Sequence, residues 1–65
     1  MTARFTVASQ DGMVGVLDHD RKMFAPFLED EFSWAPAEVR ARATCVALIT
    51  GAQTTTGFTW EKAHA

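Results

Sequence analysis

The residues of this chain able to do chemistry are few and scattered. Asp18-His19-Asp20 places three metal-ligand types in a row. Consecutive strand residues point to opposite faces, so the three converge only if a turn curls around an ion. A solvated, charged turn is the expectation. A structural zinc site takes about four ligands, usually Cys and His, and Cys45, His19 and His64 are the whole supply of those types. Cys45 sits between Thr44 and Val46 in an apolar run, where a free cysteine behaves as a small buried hydrophobe. Ser9 and Ser33 have no base near them in sequence to activate a hydroxyl. The acid groups Asp18/Asp20 and Glu29-Asp30-Glu31 serve general acid–base catalysis only inside a pocket that shifts their pKa values, and a chain this small seldom encloses one. Gly12 and Gly15 match neither phosphate-cradling pattern, GxxxxGK[ST] nor GxGxxG. Arg40 and Arg42, two positions apart, do not share a helical face. The sequence therefore predicts no catalytic residue, no metal, no cofactor and no direct nucleic-acid contact.

One stretch stands out. Phe24-Ala-Pro-Phe-Leu-Glu-Asp-Glu-Phe-Ser-Trp34 mixes four aromatics with three consecutive acids. Its aromatics can staple a helix onto a sheet while the acids solvate a loop. They can also form an interaction surface, with Phe32 and Trp34 as anchors and Glu29, Asp30 and Glu31 selecting a basic partner. Both arrangements can hold at once. Asp18 and Asp20 would extend the negative field, with Asp11 at another hairpin end.

Several elements must position these residues. Phe5 and Val7 alternate with Thr6 and Ala8, which is a strand pattern. Asp11-Gly12 suits a tight hairpin turn, so residues 3–9 and 13–18 are predicted to form an antiparallel hairpin. Gly15 inside the second strand marks a bulge or a close backbone approach. Residues 22–28 contain Pro26 and read as an edge strand extending the hairpin. Pro36, Glu38 and Gly51 bracket a helix over about 36–50, with Val39, Ala43, Val46 and Thr50 on one apolar stripe. Cys45 to Ile49 is apolar on every side, so that end should be the more deeply covered. Thr54–Trp60 is rich in β-formers and reads as the last strand, with Lys62 to Ala65 as a frayed tail. The order ββ(β)αβ makes one α+β domain: a small antiparallel sheet of three to four strands with one helix packed on one face. Residues 1–65 form this single domain, with 1–2 frayed.

The chain has 65 residues, of which 48% are hydrophobic and 22% charged. A domain of that size buries only about 60% of its unfolded surface, and one cysteine cannot staple it internally. A partner protein, or a second copy in a homodimer, is the expected source of extra stability. The lone thiol suits a reducing compartment, no apolar run approaches the ~20 residues that span a bilayer, and the first residues lack a signal peptide's apolar stretch. The chain reads as cytoplasmic. Its net charge of −2 is uneven: residues 1–38 hold seven acids against three bases, and residues 39–65 hold three bases against one acid. An acidic first part therefore faces a mildly basic second part.

In size and in its acids Asp18, Asp20, Glu29, Asp30 and Glu31, the chain resembles the small phage-borne anti-CRISPR proteins. That resemblance implies a non-catalytic inhibitor in the host bacterial cytoplasm. Its partner would be a CRISPR effector complex with a basic, nucleic-acid-binding surface, which the acids would occupy as a DNA mimic. A steered encounter of that kind weakens as salt rises. The alternative is a small accessory or structural subunit that completes a larger protein assembly, for instance by strand addition.

Overall fold

The computed structural model describes residues 3–29 and 35–64. Strand β1 (Phe5–Gln10) and strand β2 (Met13–Asp18) pair antiparallel without interruption, from Phe5↔Asp18 to Gln10↔Met13. Asp11 and Gly12 make the turn between them with φ of +53° and +77°, the backbone that a two-residue hairpin needs to match strand twist. The predicted hairpin is present.

Strand β3 (Met23–Pro26) pairs with β2, and strand β4 (Glu61–Lys62) pairs with β3, so the sheet order is β1-β2-β3-β4. The expected edge strand is thus an interior one, and this is a correction. Pro26 is nevertheless harmless there. Phe27 N–H donates to Val14, so by alternation the position of Pro26 faces away from β2, towards a side where β4 reaches only Met23 and Phe24. Gly15 resolves in favour of close approach. A Cβ at that position would lie 2.1 Å from the Ala25 carbonyl oxygen and 2.9 Å from the Phe24 ring, and the β1–β2 register carries no bulge.

The last strand is displaced from its expected place. Thr54–Trp60 is not a strand, and β4 uses Glu61 and Lys62, which lie just beyond the expected strand and at the start of the expected tail. Gly57 adopts φ +95° and the Trp60 indole N–H donates back to the Thr55 carbonyl at 2.9 Å. The segment therefore folds on itself, and no partner strand reaches its β-forming threonines. Phe58 packs edge-on against Trp60 and stacks near Phe27. The tail is tied down: Ala63 N–H donates to the Lys22 carbonyl at 3.1 Å and His64 N–H to Gln10 Oε1 at 2.8 Å.

Helix α1 (Ala37–Ile49) follows β3 and packs on one face of the β1–β2 hairpin. Pro36 occupies the position before it, with φ −56° and ψ 154°, and Gly51 ends it with φ +79°, donating to the Leu48 carbonyl. The buried face is Ala37, Ala41, Cys45 and Leu48. Ala41, Cys45 and Leu48 meet Phe5 and Val16, with Val7, Val14, Phe27, Phe58 and Trp60 around them. The predicted stripe of Val39, Ala43, Val46 and Thr50 faces outwards instead. Val39 is 47% exposed, Val46 62% and Ile49 53%, so the C-terminal end of α1 is not the deeply covered part. Small side chains facing the sheet let the helix approach the large Phe5 and Val16, and close packing there outweighs turning every valine inwards. The architecture is the predicted α+β arrangement of one antiparallel sheet and one helix.

Candidate functional site

Asp18 ends β2 and is fully buried. Arg4, just before β1, grips it with two hydrogen bonds of 3.1 Å, from Nε to Oδ1 and from Nη2 to Oδ2. The backbone N–H groups of Asp20 and Arg21 also donate to Oδ1. Burial pushes the Asp18 carboxyl up, but the Arg4 hydrogen bond and the two backbone donors outweigh it and hold the group below its ordinary value. Arg4 in turn is raised by its hydrogen bond to Asp18. This carboxylate closes the β2–β3 turn from inside and has no face left for a partner. Its sequence reading as a surface acid is corrected.

Asp20 stays on the surface, with its Oδ2 at 3.6 Å from Arg4 Nε. Glu29 is also exposed, and its Oε1 accepts the Ala37 backbone N–H at 3.0 Å. A free donor of the first helical turn is satisfied in this way, and a carboxylate there suits the positive end of the helix dipole. Arg40 reinforces the same corner. Its Nε donates to the Ala35 carbonyl at 2.9 Å, its Nη2 donates to the Leu28 carbonyl, and the guanidinium lies over the Phe27 ring. Glu29 and Arg40 thus tie both ends of the 30–34 connection to the start of α1. Asp30, Glu31, Phe32 and Trp34, the rest of the expected partner-binding set, lie outside the described residues.

The sheet does not bring Asp20 and Glu29 together. Glu29 lines a cleft with Gly12, Met13 and Val14 beside the β1–β2 turn, whereas Asp20 lies beyond the far end of β2. Six strand residues separate the two ends, roughly 17 Å at the usual rise per residue. Among the described residues, the acids expected to form one field occupy opposite ends of the sheet.

Other residues with chemical potential are engaged locally. Burial raises the pKa of the Cys45 thiol, which disfavours the reactive thiolate. His19 Nε2 is 2.8 Å from Thr6 Oγ1, and His64 Nδ1 is 3.7 Å from Asp11 Oδ1. Among the described residues, no group of three His, Cys, Asp or Glu side chains is placed to hold a metal ion, and no helix is long and apolar enough to cross a membrane.

The feature that sequence reasoning oriented wrongly is the outer face of α1. Val39 and Val46 project from the side opposite Ala37, Ala41 and Leu48, exposed Ile49 lies on the flank one turn beyond Cys45, and the Glu38–Arg42 ion pair (2.9 Å) sits towards the start of the helix. The 4-3-4 spacing from Val39 through Ala43 and Val46 to Thr50 had identified the row, and only its direction was missing. Such a row is the pattern by which an amphipathic helix is read by an apolar groove. The chain matches no protein-family model, no curated protein and no solved structure.

Proposed function

We propose that this chain is a non-catalytic protein-binding module that acts as a small accessory subunit, docking the outer face of α1 against a larger partner. The supporting observation is the exposed row Val39, Val46 and Ile49 on a helix whose opposite face already packs on the sheet. Clustered exposed hydrophobes on a small domain mark an interaction site, and a marginal core gains stability when such a face is covered.

A second reading belongs to the same class. An inhibitor of the anti-CRISPR type would oppose its acids to a basic, nucleic-acid-binding surface. In its favour, Glu29 and Arg40 anchor both ends of the acid- and aromatic-rich connection at the start of α1. Against it, Asp18 is consumed internally and Asp20 stands at the far end of the sheet.

Affinity capture with three baits separates the two, using bacterial lysate supplemented with purified CRISPR effector complexes. The baits are the wild type, Val46→Glu with Ile49→Glu, and Glu29→Lys with Asp30→Lys and Glu31→Lys. Loss of the captured protein with the helix variant alone supports the accessory subunit. Salt-sensitive capture lost only with the lysine variant supports the inhibitor. A partner retained by both variants overturns both surfaces.

A further inference from the structure

A cavity of about 280 Å³ is lined by Leu17, His19, Lys22, Ala63 and His64. Val16 packs under α1, and side chains alternate along a strand, so Leu17 belongs to the opposite face of the sheet. The Asp18 carboxylate accepts the N–H groups of Asp20 and Arg21 and so shapes the β2–β3 turn that carries His19 and Lys22. Lys22 leaves that turn with φ +55°, a left-handed conformation that glycine or asparagine adopts with less strain. Its carbonyl accepts the Ala63 N–H at 3.1 Å, and Gln10 Oε1 accepts the His64 N–H at 2.8 Å. Those two bonds seat the C-terminal segment as the second wall of the cavity.

Three of the five lining side chains carry nitrogen donors, and none carries a carboxylate. Among the described residues, Arg4, Arg21 and Arg42 each have a carboxylate partner and Lys22 has none. Thr6 Oγ1 lies 2.8 Å from His19 Nε2, and Asp11 Oδ1 lies 3.7 Å from His64 Nδ1. On each ring the other nitrogen is left for a ligand. A threonine hydroxyl that donates to Nε2 leaves the ring proton of His19 on Nδ1, which can then donate in turn. We propose that this cavity binds a small phosphate monoester. Its phosphoryl group is held by Lys22, His19 and His64, and its organic body lies against Leu17 and Ala63. Three separate donors from turn and tail suit the three oxygens of a phosphoryl group, which lysine meets as a point charge. A planar carboxylate is matched instead by a guanidinium fork, which no lining residue supplies. The volume lies at the small end of ligand pockets (about 300–1,000 Å³), which leaves room for an organic body beside the phosphoryl group.

Amide NMR of the isotope-labelled full chain, titrated with phenyl phosphate, inorganic phosphate and phenol at constant ionic strength, tests this directly. Phenyl phosphate is expected to move Leu17, His19, Lys22, Ala63 and His64 together, along curves that saturate at about millimolar concentration. Inorganic phosphate should move the same amides with lower affinity, and phenol should leave them in place. Lys22→Asn suits the left-handed backbone and removes the charge, so it is expected to fold and to bind phenyl phosphate about tenfold more weakly. Should that variant fail to fold, His64→Gln, on the exposed tail, carries the same expectation. Shifts that never saturate, shifts centred on Arg40 and Arg42, or undiminished binding to Lys22→Asn overturn the proposal. Equal affinity for inorganic and phenyl phosphate overturns the assignment of a monoester.

Discussion

At the scale of single residues, two positions dominate for opposite physical reasons. Asp18 is a buried charge held by Arg4 and two backbone donors. Its folded pKa lies below the unfolded one, so its contribution to stability is complete above about pH 4 and is lost as pH falls through the folded value. Asp18→Asn keeps the shape and removes the charge, which leaves Arg4 only its longer ion contact with exposed Asp20. We expect a loss of about 2 kcal/mol at neutral pH by urea denaturation, with the gap to wild type closing as both are acidified. A gap that stays constant down to the lowest pH would remove the charge from the account. Gly15 is constrained by space and not by φ: a methyl group there meets the Ala25 carbonyl at 2.1 Å. Gly15→Ala should cost about 3 kcal/mol, because β2 and β3 must part to admit it. Gly51→Ala, in open space at φ +79°, should cost only about 1 kcal/mol. Thermal melts of the two variants measure the difference.

At the scale of elements, α1 has two apolar sides with different duties. Leu48→Ala removes a side chain packed in the core and should cost about 3 kcal/mol. Val46→Glu, on the outer side, should leave stability within about 0.5 kcal/mol and abolish partner capture. If Val46→Glu unfolds the isolated chain, the outer row belongs to the fold and not to a partner. The C-terminal strand is too short to hold itself. Gln10 anchors it by donating to Glu61 Oε1 and the Lys62 carbonyl and by accepting from His64 N–H. β1 and β4 are the two edges of the sheet, so the sheet must curl for Gln10 to reach β4, across the face that carries the buried Phe24. Gln10→Ala should therefore speed amide exchange at Lys62, Ala63 and His64 while β1 and β2 keep their protection, with about 1 kcal/mol lost overall.

At the scale of the whole molecule, part of the charge is spent in local pairs among the described residues. Arg4 and Arg21 face Asp18, Arg42 faces Glu38, and Asp20 and Glu29 stand at opposite ends of the sheet. The proposed contact through α1 would rest on packing more than on the field of the domain. Capture by the outer face of α1 is therefore expected to change less than about threefold as salt rises past the point where the Debye length is ~8 Å. An acid-led contact would weaken steeply over the same range.

The amino-acid sequence by itself determined the local elements whose causes are local. Asp11-Gly12 forms the hairpin turn because both residues tolerate positive φ, and Pro36 and Gly51 bracket α1 because one lacks an N–H and the other a Cβ. The α+β order followed from those. Where the cause lies between elements, sequence was silent or misleading. The threonines of 54–60 have strand propensity, yet no strand edge lies where they could use it, and pairing passed to Glu61 and Lys62. Val39 and Val46 define the apolar row of α1, but small Ala37, Ala41 and Cys45 let the helix sit close on Phe5 and Val16, so the row turned outwards. Asp18 looks like a surface acid in a charged run, and only tertiary structure brought Arg4 across fourteen residues of chain to bury it. Spacing reports which residues share a face. Which face is covered depends on how closely two surfaces pack, and that is a property of the pair.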